Sequence, residues 1–154
     1  MNEDNGVNFV SLIDEAGNTV DLEIGETFDY NSTLGERTPE AGYKQADGYV
    51  GMETILQYGG GICQASSCLY YCTLIADVEV VTRFNHSYIS AYMPPGMDAT
   101  VSWGGPDFLF KNTTQYPIRI DASAEGGNVT VRLMGTDTKD YYVKMEYAIL
   151  SSTA

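Results

Sequence analysis

The chain has 154 residues, enough for one domain with a substantial core and too few for two comfortable ones. Hydrophobic residues at 44% and aromatics at 12% argue for a folded globule rather than disorder. Eight Lys and Arg stand against 21 Asp and Glu, a net charge of −13, which argues against nucleic acid or an anionic membrane as partner, since both require a positive surface.

Residues 1–53 hold twelve of the acids against only Arg37 and Lys44, which reads as a solvated acidic face. No run of about 18 apolar residues occurs, so no segment is expected to span a membrane. The opening MNEDNGVNFV lacks the basic-then-apolar order of a signal peptide. These features fit a cytosolic protein or an excised soluble domain. Three cysteines cannot all pair with one another, so no disulfide framework is indicated.

In chain order, weak alternation around DEAGN (14–18) predicts a hairpin of residues 9–13 and 20–24. Residues 25–52, rich in Gly, Asn, Thr and Pro, read mostly as loop with short ordered pieces. GGGICQ (59–64) is a tight glycine turn, and the apolar run behind it predicts a helix over 63–76. At about 100° per residue, Ala65, Cys68, Leu69, Cys72 and Ala76 form one stripe. Cys63, Ser67, Tyr70 and Leu74 form a second, nearly opposite. A helix apolar on two sides is buried on two sides, and no charge occurs between 54 and 76.

From Val78 the pattern turns to β, with one long strand through residue 92 and a turn at MPPGM (93–97). Further strands are predicted at about 98–103, 108–111, 117–122, 128–134 and 141–148, with EGGN (125–128) as a hairpin turn. One helix followed by successive strands predicts an α+β domain: a central buried helix packed on an antiparallel sheet, papain/transglutaminase-like in the broad sense.

The chemistry centres on Cys63. At a helix N-terminus, unpaired N–H groups and the positive end of the dipole lower a thiol's pKa. The chain's single histidine, His86, lies downstream on a predicted strand. A thiolate to attack a carbonyl and an imidazole to move the proton are the parts of a cysteine hydrolase. Gly60, Gly61 and Gln64 would border the oxyanion. The third member stays open between Asp98 and Asp107. A tight turn at 93–97 would set Asp98 against Tyr92, about 20 Å along the strand from His86, and favour Asp107. A wider loop would reverse that preference.

A zinc site is the rival, because three Cys and one His match a structural ligand count. Cys63 and Cys68, however, point roughly 140° apart on an ideal helix. Cys68 and Cys72 look like core, and no metal or cofactor is predicted. The segment GGGICQAS also lacks the Lys of a phosphate loop.

GETFDYN (25–31), GERTPEAGYKQA (35–46), GGGICQASSCLY (59–70), RFNHS (83–87), YMPPGMDATV (92–101) and DFLFKN (107–112) together resemble the VanW-like domain of Gram-positive cell-envelope proteins. Cys68 stands where that family usually has Thr, and Ile24 and Asp29 replace its usual Pro and Ser. The resemblance implies an extracytoplasmic domain at residues 25–148, with 1–24 as an N-terminal hairpin or extension, often behind an upstream membrane anchor. It places the family's Cys, His and Asp positions on Cys63, His86, Asp98 and Asp107. Arg83, Ser87, Tyr92, Lys111 and Asn112 also match motif positions.

Two functions are carried forward. One is a cysteine-dependent peptidase, amidase or acyltransferase acting on cell-wall-type peptides. The other is a non-catalytic module binding wall peptide or glycan in a tyrosine-rich groove, with Arg83, Ser87, Tyr92 and Trp103 as contacts and twelve tyrosines to draw on. A plain structural spacer is the third and simplest reading.

Overall fold

A computed structural model of the protein describes residues 19–50, 53–126 and 128–153. Its strands are β1 (Thr19–Leu22), β2 (Thr27–Asp29), β3 (Gln45–Val50), β4 (Glu53–Tyr58), β5 (Glu79–Thr82), β6 (Leu109–Lys111), β7 (Ile118–Glu125) and β8 (Asn128–Met134). Two helices accompany them, α1 (Tyr30–Leu34) and α2 (Ile62–Ala76). The fold is α+β, and every ladder is antiparallel. Three small sheets share the strands, in orders β1-β7-β8, β2-β6-β5 and β3-β4, where the sequence suggested one sheet.

The central helix is as predicted, one residue longer at its start. Ala65, Ser66, Ser67, Leu69 and Thr73 are fully buried, and Ile75 is its only strongly exposed apolar residue. One side packs on β8, where Cys72 approaches the Val131 carbonyl. The other meets the aromatic core, with Tyr70 edge-on to Phe108. Gly61 starts the helix at φ 88°, a left-handed conformation that a side chain would strain. Asp77, also left-handed at φ 55°, ends it, and its N–H returns to the Leu74 carbonyl.

The segment expected to be mostly loop is more ordered than that. Asp29 caps α1 by accepting from the Ser32 N–H at 2.8 Å, and Gly35 closes it at φ 70°. Phe28, Phe108 and Phe110 stack beneath, and the Tyr30 hydroxyl reaches the Ile62 carbonyl at 3.3 Å. Tyr30 thereby ties α1 to the start of α2.

Other expectations change. Residues 9–13 of the expected N-terminal hairpin lie outside the described residues, and β1 pairs with β7. The strand from Val78 stops at Thr82, and residues 98–103 form no ladder. Beyond Thr82 the backbone polar groups are satisfied across a wide loop, with the Thr100 N–H on the Phe84 carbonyl and the Arg83 guanidinium on the Asp98 carbonyl. Residues 141–148 are not a strand, because Tyr141, Tyr142 and Tyr147 find no surface on which to bury an alternating face. The β7–β8 hairpin forms where EGGN predicts it, with Glu125 opposite Asn128.

Candidate active site

Cys63 occupies the first turn of α2, directly behind the glycine turn. Gly60 lies so close to the β3 backbone that a Cβ there would stand 2.1 Å from the Ala46 carbonyl oxygen. Arg37 covers Gly59 from the other side, where a Cβ would meet its Cγ at 2.7 Å. The guanidinium of Arg37 in turn donates to the Asn31 carboxamide at 2.6 Å. The turn is therefore wedged between β3 and the loop after α1, and it fixes where the helix begins.

The 83–108 loop is laced over that helix end. Ser67 lies 2.7 Å from the Cys63 carbonyl oxygen and accepts from the Ala99 N–H at 3.0 Å. Ser66 sits 2.7 Å from the Ala99 carbonyl oxygen. The Val101 N–H points at the Cys63 sulfur from 3.4 Å, and the Thr100 hydroxyl lies 3.6 Å away. Two serines on one helical turn, both fully buried, thus hold the loop in register with the thiol.

The loop carries His86 to the thiol and Asp98 to His86. The Nδ1 of His86 lies 2.5 Å from Asp98 Oδ2, and the same oxygen accepts the His86 backbone N–H at 2.8 Å. The other ring nitrogen, Nε2, faces the Tyr92 hydroxyl at 3.4 Å, and the imidazole and the Cys63 thiol line the same cavity, near enough for each to shift the other's pKa. Arg83 anchors Asp98 from behind, donating to its carbonyl at 2.7 Å and to its carboxylate at 3.3 Å, with the guanidinium over the Tyr70 ring.

These contacts set the protonation states. Burial opposes ionisation of Cys63, but hydrogen bonds from His86, Val101 and Thr100 outweigh it and bring the thiol below its ordinary pKa. Burial likewise disfavours a charged His86, yet its bonds to Cys63 and Asp98 raise its pKa. Asp98 is lowered: burial works against its charge, and the N–H and ring of His86 more than compensate. Cys68 and Cys72 move the opposite way through burial, Cys72 to about 11. The three cysteines therefore differ sharply in chemical character.

The thiol and imidazole open into a cavity of about 620 Å³. Gly59, Gly61 and Gln64 line it beside the thiol, Gly48 and Gln57 come from the β3–β4 hairpin, and Asn85, Ser87, Tyr88 and Tyr92 form the far wall. No Lys or Arg is among its lining residues.

Of the residues singled out from sequence, Cys63, His86 and Asp98 converge, and Gly61, Gln64, Ser87 and Tyr92 border the same cavity. The others lie elsewhere. Asp107 accepts from the Asn31 N–H at 3.0 Å and the Phe108 N–H at 2.7 Å, a bracket for α1 rather than a partner of His86. Gly60 faces β3, Arg83 is committed to Asp98, and Trp103 is half exposed and outside the cavity lining. The predicted turn forms, with the Met97 N–H on the Pro94 carbonyl at 3.0 Å, but no paired strands flank it, and Asp98 returns beside His86 from an irregular loop. Thr100, Val101 and Arg37 lie within segments that carry the family resemblance but are not among the site residues read from sequence, and Gln57 reaches the cavity from a distant strand without any sequence signal. Among the described residues no three His, Cys, Asp or Glu side chains gather as metal ligands, and no helix is long and apolar enough to cross a membrane.

Fold and site together define an α+β protein with a cysteine, a histidine and an aspartate gathered at the start of a buried helix. The model of the family described as "VanW like protein" matches residues 7–134, and the chain belongs to that family. It is similar to the uncharacterized protein YoaR of Bacillus subtilis (strain 168), 46% identical over 112 residues, which cover 73% of this chain and 37% of that protein. The chain thus spans well under half the length of that relative. No solved structure matches it, so the papain- and transglutaminase-like comparison gains no structural support.

Proposed function

We propose that this domain is a cysteine-dependent acyl-transfer catalyst, a peptidase, amidase or acyltransferase acting on peptide amides. One observation carries the reading: the His86 ring that Asp98 holds and the Cys63 thiol face one cavity, large enough for a peptide segment. Asp98 occupies Nδ1, so Nε2 is the nitrogen that serves the thiol. The Cys63 thiolate attacks the amide carbonyl and forms a C–S bond. The His86 imidazolium gives its proton to the departing amine as the C–N bond breaks. Water or an acceptor amine then attacks the thioester, His86 takes its proton, and the thiolate leaves. The Ile62 and Gln64 N–H groups already donate to the Gly59 and Gly61 carbonyls at 3.1 Å each, so the Cys63 N–H is the first-turn donor suited to the oxyanion.

The proposed setting is extracytoplasmic, at the cell envelope, with wall-type peptides as substrates; family membership supports it. The test is iodoacetamide alkylation of Cys63 followed against pH by mass spectrometry. A rate that rises well below the usual thiol range, and reverts in His86→Ala, is the expected result. An ordinary profile indifferent to His86 would falsify the catalytic reading.

A second reading, a wall-binding module, is favoured by the tyrosines along the cavity, Tyr88 and Tyr92. It expects Cys63→Ser protein to be retained on purified cell wall as well as wild type. Acyl-enzyme capture on Cys63 would decide against it.

A further inference from the structure

The proposed chemistry develops negative charge on the carbonyl oxygen, and backbone donors alone are the usual expectation. The cavity holds a side-chain candidate. Tyr92 stands on the loop between His86 and Asp98, half-buried, with its ring edge-on to the imidazole at a centroid separation of 6.2 Å. Its hydroxyl is 3.4 Å from Nε2, beyond the 2.7–3.2 Å expected of a well-made hydrogen bond. It is therefore near the reacting atoms without a close bond to Nε2, with Ser90 and Ser67 also bearing on the phenol. Burial, reinforced by the Cys63 charge, pushes its pKa up, so the phenol stays protonated wherever the thiolate exists.

We propose that the Tyr92 hydroxyl is a catalytic donor: it hydrogen-bonds the oxygen that becomes an oxyanion when the Cys63 thiolate adds to the carbonyl. The inference rests on the acyl-transfer reading and adds a named side chain to it. No proton is transferred from Tyr92. Its O–H dipole turns from the region of Nε2 to the new oxygen, which strengthens only as charge develops. The other tyrosine packed on His86, Tyr88, has its ring 5.2 Å away by centroid, and no such role is assigned to it.

The probe is the peptide aldehyde acetyl-Ala-alaninal, which forms a hemithioacetal with a thiolate and so places an oxygen where the oxyanion would be. Its affinity is measured beside iodoacetamide alkylation, which forms no such oxygen. In Tyr92→Phe the aldehyde is expected to bind about 10- to 100-fold more weakly, while the alkylation profile against pH moves by less than ~3-fold in rate. Unchanged aldehyde affinity overturns the proposal. So does an equal loss in both assays, which would make Tyr92 a positioning residue for the thiolate–imidazolium pair. Wild-type protein that alkylates with the lowered thiol pKa yet holds the aldehyde no better than glutathione overturns it too. An ordinary wild-type alkylation profile would instead remove the acyl-transfer reading beneath it, so the two failures are distinguishable. Should Tyr92→Phe not fold, 3-fluorotyrosine placed at 92 decides. Its more acidic hydroxyl is expected to tighten the aldehyde several-fold, and no change overturns the proposal.

Discussion

Asp98 Oδ2 receives both the backbone N–H and the ring Nδ1 of His86. A single oxygen thereby fixes where the residue sits and which way its ring faces. Asp98→Asn keeps the shape but can present an amide N–H where an acceptor is needed. Cys63 alkylation at pH 7 is expected to fall roughly 10-fold, the effect of one pKa unit on the thiolate. A rate equal to wild type would remove Asp98 from the relay.

The pH dependence of folding has a definite sign. His86 is raised in the folded protein, so its stabilising share is fully present below 6.5 and is lost as pH rises through its folded pKa. Asp98 is lowered, so its share is present above 3.8 and is lost as pH falls through its own folded value. On the acid side the urea midpoint of wild type is expected to fall more steeply from pH 5.5 to pH 3 than that of Asp98→Asn, which lacks this carboxylate. Equal slopes would assign the acid loss to other groups.

Gly60 tests the glycine turn. A methyl group there would lie 2.1 Å from one carbonyl oxygen and 2.8 Å from the next, both backbone atoms of β3 that cannot turn aside. Gly60→Ala is expected to cost about 1–3 kcal/mol in denaturant unfolding. It should also slow Cys63 alkylation, because α2 would shift. Normal stability would mean that β3 moves freely.

Asn112 is a stability site rather than a chemical one. Fully buried, it donates to the Tyr116 carbonyl at 2.9 Å and lies 3.3 Å from those of Leu22 and Glu23, while accepting the Thr114 N–H at 3.0 Å. Asn112→Leu leaves these backbone groups without their partner and is expected to cost about 3 kcal/mol. The alkylation profile against pH should remain that of wild type, which separates folding from site chemistry.

Much of this was legible locally. The doubly apolar run 63–76 declared a buried helix, EGGN declared its hairpin, and the lone His86 pointed to a partner for Cys63. The choice between Asp98 and Asp107 was not legible, because it depends on loop width, and loop width follows from long-range bonds such as Arg83 to the Asp98 carbonyl. Alternation over 78–92 and 141–148 looked like strand, yet a period of two says nothing about whether an edge is available to pair with. Arg37 and the paired serines act through carbonyls and bare glycines, which leave no mark in residue type.

The contrast among the three sulfurs reaches beyond turnover. Burial keeps Cys68 and Cys72 as neutral thiols, while Cys63 faces a solvent-connected cavity with its anion favoured. An oxidant such as hydrogen peroxide would meet one susceptible atom and convert it first to a sulfenic acid, with no second thiol placed to resolve it. The same selectivity makes the protein a single-address target for a maleimide dye near neutral pH.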